Sequence, residues 1–461
     1  MKEIRILQEH VRISDPHVTS DNAERLSILG NVFEPLMRVQ EDGSFKPCLA
    51  TSWTLSDDAR TWQFRLREDA FFHDRKALLP EDVVFSLRRM RDEDLPGELG
   101  TSGVIRAYLA GAEIETKGPN TVAVRTQEPM ADLADLLCEI PILSEQSVAR
   151  LPSQFVGTGP FKVVESGDRV VLEGSSGRLI WESESDPEKR LRAVQEGSAH
   201  VAAKISPRNA LESGVRMERS TTSVCATFMF NFGTAAAGGL ANNIHLRRAI
   251  NWAVDVPTLV KEVMYGAANP LSGPLTRRHL GFDPAVASWP YNPERARAEL
   301  EVGGIASGTR LTIDIPSVLP DEAPELAARV AAYLAAIGLQ VDIRTDTDRP
   351  GYALRVRDGY VGDLACFDSS PSSTFRVFNE KFHSGLAGPW WMGYSNQTFD
   401  DLVDRARSQA DFSLRKELYQ KAYALLREEA PWLFLYNPVR LTAISSELAH
   451  WTPSTGGILL F

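Results

Sequence analysis

Leu311-Thr312-Ile313-Asp314-Ile315 and Leu339-Gln340-Val341-Asp342-Ile343 bracket the stretch that decides the fold. Each alternates apolar and polar residues and is rich in β-branched side chains, which predicts a strand. Between them Leu326, Val330, Tyr333 and Ile337 recur at spacings of four, three and four, one face of a helix. Gly338 closes that helix. Strand, helix and strand in so short a span require a parallel crossover. The expected fold is therefore α/β, a sheet with helices on its faces.

The flanking sequence agrees. Cys225-Ala226-Thr227-Phe228-Met229-Phe230-Asn231-Phe232 reads as a strand, and residues 245–254 as a helix burying Leu246, Ala249, Ile250 and Ala253. Asp255 caps a further helix with Pro257 in its first turn. Asn292-Pro293-Glu294 opens another. Residues 399–429 give two helices, the second with Ser413 as its expected cap. Pro431 stops the second helix, and Trp432-Leu433-Phe434-Leu435-Tyr436 is a buried strand.

Nearer the N-terminus the texture changes. Residues 4–40 give a short strand, a loop and a helix with Leu26, Leu29 and Phe33 inward. Residues 41–155 look like an inserted lobe. Within it Trp62-Gln63-Phe64-Arg65-Leu66-Arg67 alternates as a half-buried strand, and Leu79-Pro80-Glu81-Asp82-Val83 starts a helix. Residues 131–138 are a short helix. Gly157-Thr158-Gly159-Pro160-Phe161 turns into a strand. A phosphate cradle there lacks both a GxxxxGK pattern and a helix directly after it. Residues 191–197 form a short helix ending at glycine.

A chain of 461 residues exceeds one compact core, so two or three lobes are expected. A net charge of -11 with mixed signs argues against a nucleic-acid partner. No run of 18 apolar residues is present. The first residues alternate like a strand and lack an apolar signal core. That leaves a cytoplasmic protein, or one whose signal peptide has been replaced by a start Met. Cys48, Cys138, Cys225 and Cys366 are far apart, which predicts free thiols and no metal or redox pair. The sequence holds no nucleophile elbow, no HExxH, no calcium loop and no GxGxxG, and its eight histidines are scattered. No catalytic residue, metal or cofactor is expected.

Residues 360–396 carry Phe367, Phe375, Phe378, Phe382, Trp390, Trp391 and Tyr394 among Gly, Ser and Pro, with Asp368 inside. No helical or alternating period explains these rings. On irregular backbone they suit a ligand surface, flat apolar faces with wet edges. The alternative is that Trp390 and Trp391 pack a long loop onto its own domain.

In order along the chain, several stretches resemble the bacterial extracellular solute-binding proteins of the oligopeptide, dipeptide and nickel type. They are Phe33-Glu34-Pro35-Leu36, Leu49-Ala50-Thr51-Ser52-Trp53, Phe64-Arg65-Leu66-Arg67-Glu68 with Phe72-His73-Asp74, and Glu81-Asp82-Val83-Val84-Phe85-Ser86-Leu87. Gly157-Thr158-Gly159-Pro160-Phe161, Phe230-Asn231-Phe232, residues 246–255, Gly393-Tyr394-Ser395-Asn396 and Ala430-Pro431 continue the series. Leu79 stands where that family usually has a capping Thr, a loss of about 1 kcal/mol if nothing else caps the helix. The segment 363–371 lacks the family's Gly-Trp and Asp-Pro pattern.

The resemblance implies a periplasmic-binding-protein-like fold of two major α/β lobes with a hinge, plus a third inserted lobe. Lobe I is expected to comprise 1–40, 156–220 and 435–461, lobe II 41–155, and lobe III 221–434. It implies a receptor of an ABC importer, working with a transmembrane permease. The receptor captures a small organic solute (peptide-like, an amino-acid conjugate or similar) in an interlobe cleft by hinge closure. Asp368 is expected to meet an amine, and Phe367, Trp390, Trp391 and Tyr394 to supply apolar faces. Arg355, Arg357 or Arg376 is expected to pair a carboxylate. Phe228 and Asn231 are further candidates at the entry to lobe III. A monomer in the periplasm or outside the cell, its signal peptide removed, is expected. The alternative is an enzyme or biosynthetic accessory protein that keeps this fold without transport.

Overall fold

A computed structural model describes residues 2–18, 22–96, 102–210, 214–233, 239–318, 320–388 and 390–461. The chain divides into two compact units. One is 1–221 with 407–410 and 440–461; the other is 222–406 with 411–439.

In the first unit Glu3–Gln8 lies parallel to Gly177–Ser183, and Arg169–Gly174 and Phe161–Ser166 continue the sheet antiparallel. The helix Ala23–Val32 packs onto it through Ile28, Leu29 and Val32, in a core with Ile6, Leu172 and Trp181. Leu26 stays half-exposed, so the buried face is rotated from the one expected. Asn22 caps the helix by accepting from the N–H groups of Glu24 and Arg25.

A separate antiparallel sheet orders Ala50–Leu55, Thr61–Leu66, Thr121–Arg125 and Glu113–Thr116. The alternation of residues 62–66 appears as expected, Trp62, Phe64 and Leu66 buried and Gln63 and Arg65 exposed. The helix Pro80–Arg89 lies beside it. Leu79 gives that helix no side-chain cap, but the Asp82 carboxylate reaches back and accepts the Leu79 N–H at 2.9 Å.

The Gly157–Phe161 turn has a steric explanation. A Cβ on Gly157 would lie 2.0 Å from the carbonyl oxygen of Val32, and one on Gly159 2.6 Å from that of Asn31. His73 donates its backbone N–H to the Gly157 carbonyl, and its Nε2 lies 2.9 Å from the Gly159 carbonyl oxygen. Glycine here allows backbone to approach backbone, with no phosphate required.

The second unit holds the predicted crossover. Arg310–Pro316 and Gln340–Asp346 are parallel, Leu311 opposite Val341, joined by the helix Ala323–Ala336. The sheet continues through Leu364–Ser369, Cys225–Phe230 and residues 432–436 of the last long strand. The buried helix face is Leu326, Val330 and Leu334, with Ile337 just beyond. Tyr333 instead sits half-buried against Tyr291. The cap of the helix Phe412–Glu429 is Asp411, not Ser413, because the Asp411 carboxylate accepts the Leu414 N–H.

Residues 360–396 are more regular than the sequence suggested. They contain the strand Leu364–Ser369 and the helix Thr374–Lys381. The strand is central and covered on both faces, so nothing forces alternation. All eight residues of the helix are buried, so it has no exposed side to mark a period.

Candidate ligand site

Asp368 sits near the end of its strand, opposite Ala226 and beyond the last pair that this strand makes with Arg310–Pro316. Its side chain keeps 32% exposure, unusual in a strand otherwise buried. Arg349 opens the helix Arg349–Arg357 and brings Nη2 within 3.3 Å of Asp368 Oδ1. The same guanidinium lies 5.9 Å from the ring centroids of Tyr352 and Phe367, within cation–π range. Tyr352 is locked beneath by donating its hydroxyl to the carbonyls of Cys366 and Asp314. Arg349 is thus fixed from two sides, and it fixes Asp368.

Phe367 carries the next contact. Its ring meets Trp390 at 4.9 Å between centroids. Trp390 is held at φ 79°, a left-handed conformation costly for a bulky residue, by roughly 1–3 kcal/mol. Lys381 Nζ lies 5.9 Å from the Trp390 ring centroid and 3.9 Å from Glu380 Oε2. Asp368, Arg349, Phe367, Trp390 and Lys381 therefore form a continuous run of charge and ring. It can present an anionic group for an amine, with the buried Phe367 and Trp390 rings packed beside it.

The other predicted residues fall elsewhere. Tyr394 is buried in a ring cluster with Phe232, Phe382 and Phe399, where burial raises its phenol pKa. Trp391 is half-buried and donates its indole N–H to the Tyr394 carbonyl, closing its own loop. For these two rings the packing alternative is the better description. Arg355 pairs with Asp346, and Arg357 with its neighbour Asp358. Arg376 forms a buried pair with Glu380 at 2.8 Å.

Two candidates require correction. Phe228 is fully buried in the hydrophobic core, because its strand is flanked by two others and covered on both faces. Asn231 is also fully buried; its Nδ2 donates to the carbonyls of Gly359 and Val361 and fixes that turn. Sequence reasoning missed Arg349, which gives no local signal 19 residues before its partner.

The chain belongs to the bacterial extracellular solute-binding proteins, family 5, whose middle portion matches residues 44–376. The di/tripeptide-binding protein 2 of Pseudomonas aeruginosa is 27% identical over 447 residues, covering 86% of this chain and 82% of that protein. The dipeptide-binding protein of Escherichia coli is 24% identical over 456 residues, with coverage of 86% and 82%. Among solved structures, HbpA2 from Haemophilus parasuis shares the fold with a TM-score of 0.83 at 20% identity, covering 96% of each chain. CtaP, an ABC transporter substrate-binding protein from Listeria monocytogenes, has a TM-score of 0.84 at 18% identity, covering 99% of this chain and 97% of that one. The periplasmic-binding-protein-like α/β architecture implied by the sequence is therefore the fold of this chain, and its class is that of the extracellular solute-binding proteins.

Proposed function

We propose that the protein captures a small, amine-bearing organic solute of peptide-like chemistry and passes it on unaltered. The observation that carries this reading is Asp368, a partly exposed carboxylate beside the Phe367–Trp390 pair. An ionised carboxylate offers about four acceptor positions, so a ligand ammonium can join Arg349 at Asp368 without displacing it. The di/tripeptide- and dipeptide-binding relatives support a peptide-like ligand. Binding favours a closed state by the ligand's differential affinity for it. On this reading the protein is a monomeric periplasmic or extracellular receptor, it catalyses no reaction, and its macromolecular partner is a transmembrane permease.

The test is thermal unfolding of the purified protein with a panel of di- and tripeptides, glutathione and nickel–histidine. A peptide at one hundred times its Kd should stabilise the fold by about 2.7 kcal/mol, a shift of several degrees. A panel in which only the nickel complex raises the midpoint overturns the amine-anchored reading.

A further inference from the structure

Among the described residues one group alone brings three metal-ligating side chains together. It is Glu9, His10 and Glu24, with one donor atom of each within 4.8 Å of the others. Glu9 and His10 follow the strand Glu3–Gln8, and Glu24 stands in the first turn of the helix Ala23–Val32, 14 residues on from His10. No ligand spacing marks them in the sequence, because the fold and not the local chain joins them. All three belong to the first unit, whereas Asp368 and its neighbours belong to the second.

Their backbone is pinned. The Ser183 hydroxyl donates to the Glu9 carbonyl at 2.6 Å, and the Glu184 N–H to the Gln8 carbonyl at 2.9 Å. Each carboxylate has one oxygen held by a protein donor, as ligating carboxylates commonly do. Glu24 Oε1 accepts the Glu9 N–H at 2.9 Å, and Glu9 Oε2 accepts from Lys204 Nζ at 2.7 Å. His10 Nδ1 stands 3.4 Å from Glu24 Oε2, long for a hydrogen bond. That distance matches the edge between two ligands of a tetrahedral zinc ion, about 3.3 Å for bonds near 2.0 Å. Side-chain exposures of 77% for His10, 30% for Glu9 and 15% for Glu24 leave the group open to an ion from solvent.

A second observation points the same way. Gln8 is 1% exposed, and its Nε2 donates to the carbonyls of His10 and Glu24 at 2.8 and 3.3 Å. Its carboxamide therefore lies against the same two residues. Its Oε1 has no hydrogen-bond partner among the described residues, and a buried acceptor is rarely left unmet.

We propose that Glu9, His10 and Glu24 form a binding site for one zinc ion. The ion takes Glu9 Oε1, His10 Nδ1 and Glu24 Oε2 and keeps its fourth position for a water. That water donates to Gln8 Oε1, the bond which the buried amide lacks. One imidazole with two carboxylates suits zinc, whereas calcium and magnesium call for more oxygens and no imidazole. Bound there, the ion ties the segment after the first strand to the start of the helix, and stabilises the fold because the unfolded chain has no such site. The inference stands apart from the solute-capture reading.

The experiment is isothermal titration of the full chain, untagged and stripped of metal by a chelator, with zinc, calcium and magnesium chlorides, together with thermal unfolding. Wild type should bind one zinc ion with micromolar affinity or tighter, bind calcium and magnesium far more weakly, and unfold at a higher temperature with zinc. Cobalt(II) in place of zinc should give the intense visible bands of four-coordination. His10→Ala and Glu24→Gln should each lose those bands and weaken zinc by at least about a hundredfold, the upper end of what losing a ligand's outer partner costs. His10 is exposed, and Glu24→Gln keeps an acceptor for the Glu9 N–H, so both variants should fold with a near-normal metal-free midpoint. Zinc binding only at millimolar concentration, zinc affinity that survives in both variants, calcium bound as tightly as zinc, or the weak bands of six-coordinate cobalt overturns the proposal.

Discussion

At the scale of single residues, the segment after Asp368 is held by a histidine that resists protonation. His279 is 3% exposed; its Nδ1 accepts the Thr276 N–H at 3.0 Å, and its Nε2 donates to the Pro371 carbonyl at 2.8 Å. A proton on Nδ1 would face an N–H donor. Burial also disfavours the charge, and the pKa falls from 6.5 to about 4. The unfolded chain therefore takes up the proton first. The contribution is complete above about pH 7, declines as pH falls through 6.5, and is lost near pH 4, a total of about 3 kcal/mol. His17 in the other unit is likewise lowered to about 4 by burial and adds to the slope. Urea unfolding at about pH 7 and pH 4.5 should show this fall in the wild type and a smaller one in His279→Gln. An identical fall in both proteins contradicts the assignment to His279. The tie to Pro371 was not legible in the sequence, since it joins positions 92 residues apart. Asp368 was legible only by resemblance, while its partner Arg349 was invisible for the same reason of distance.

At the scale of elements, legibility followed exposure. Strands with one wet face, such as Thr61–Leu66, showed their alternation and were placed correctly. Cys225–Phe230, buried at all six positions, was recognised as a strand, but nothing in it showed that Phe228 points into the core. The strand Leu364–Ser369 and the helix Thr374–Lys381 were hidden in what read as an irregular ring-rich stretch. The Gly-Thr-Gly turn was legible as a turn, but its backbone partners at Asn31 and Val32 lie far upstream. The departure at Leu79 was legible too, and the structure supplies only half of the compensation, through Asp82. Leu79 is 53% exposed, so little packing is lost by changing it. Leu79→Thr should provide the missing acceptor for the first turn and stabilise the protein by about 1 kcal/mol in urea unfolding. A destabilised variant contradicts the capping argument.

At the scale of the molecule, the parallel crossover around residues 311–343 identified the fold class from sequence, because both strands and the helix between them are local in the chain. The ligand-facing chemistry was harder to see. Tyr394 and Trp391 proved to be packing rings, whereas Asp368, Arg349, Phe367 and Trp390 lie together in one run of charge and ring. A receptor holds its guest and releases it unchanged, and an amine anchored on a carboxylate ties affinity to that one charge. The most direct measurement is equilibrium dialysis of the tightest-binding peptide against wild type and Asp368→Asn, with mass analysis of the recovered solute. The account predicts intact peptide and affinity weakened by tens- to a hundredfold in the variant, about 2–3 kcal/mol. Unchanged affinity in Asp368→Asn, or recovery of a cleaved or altered peptide, contradicts it.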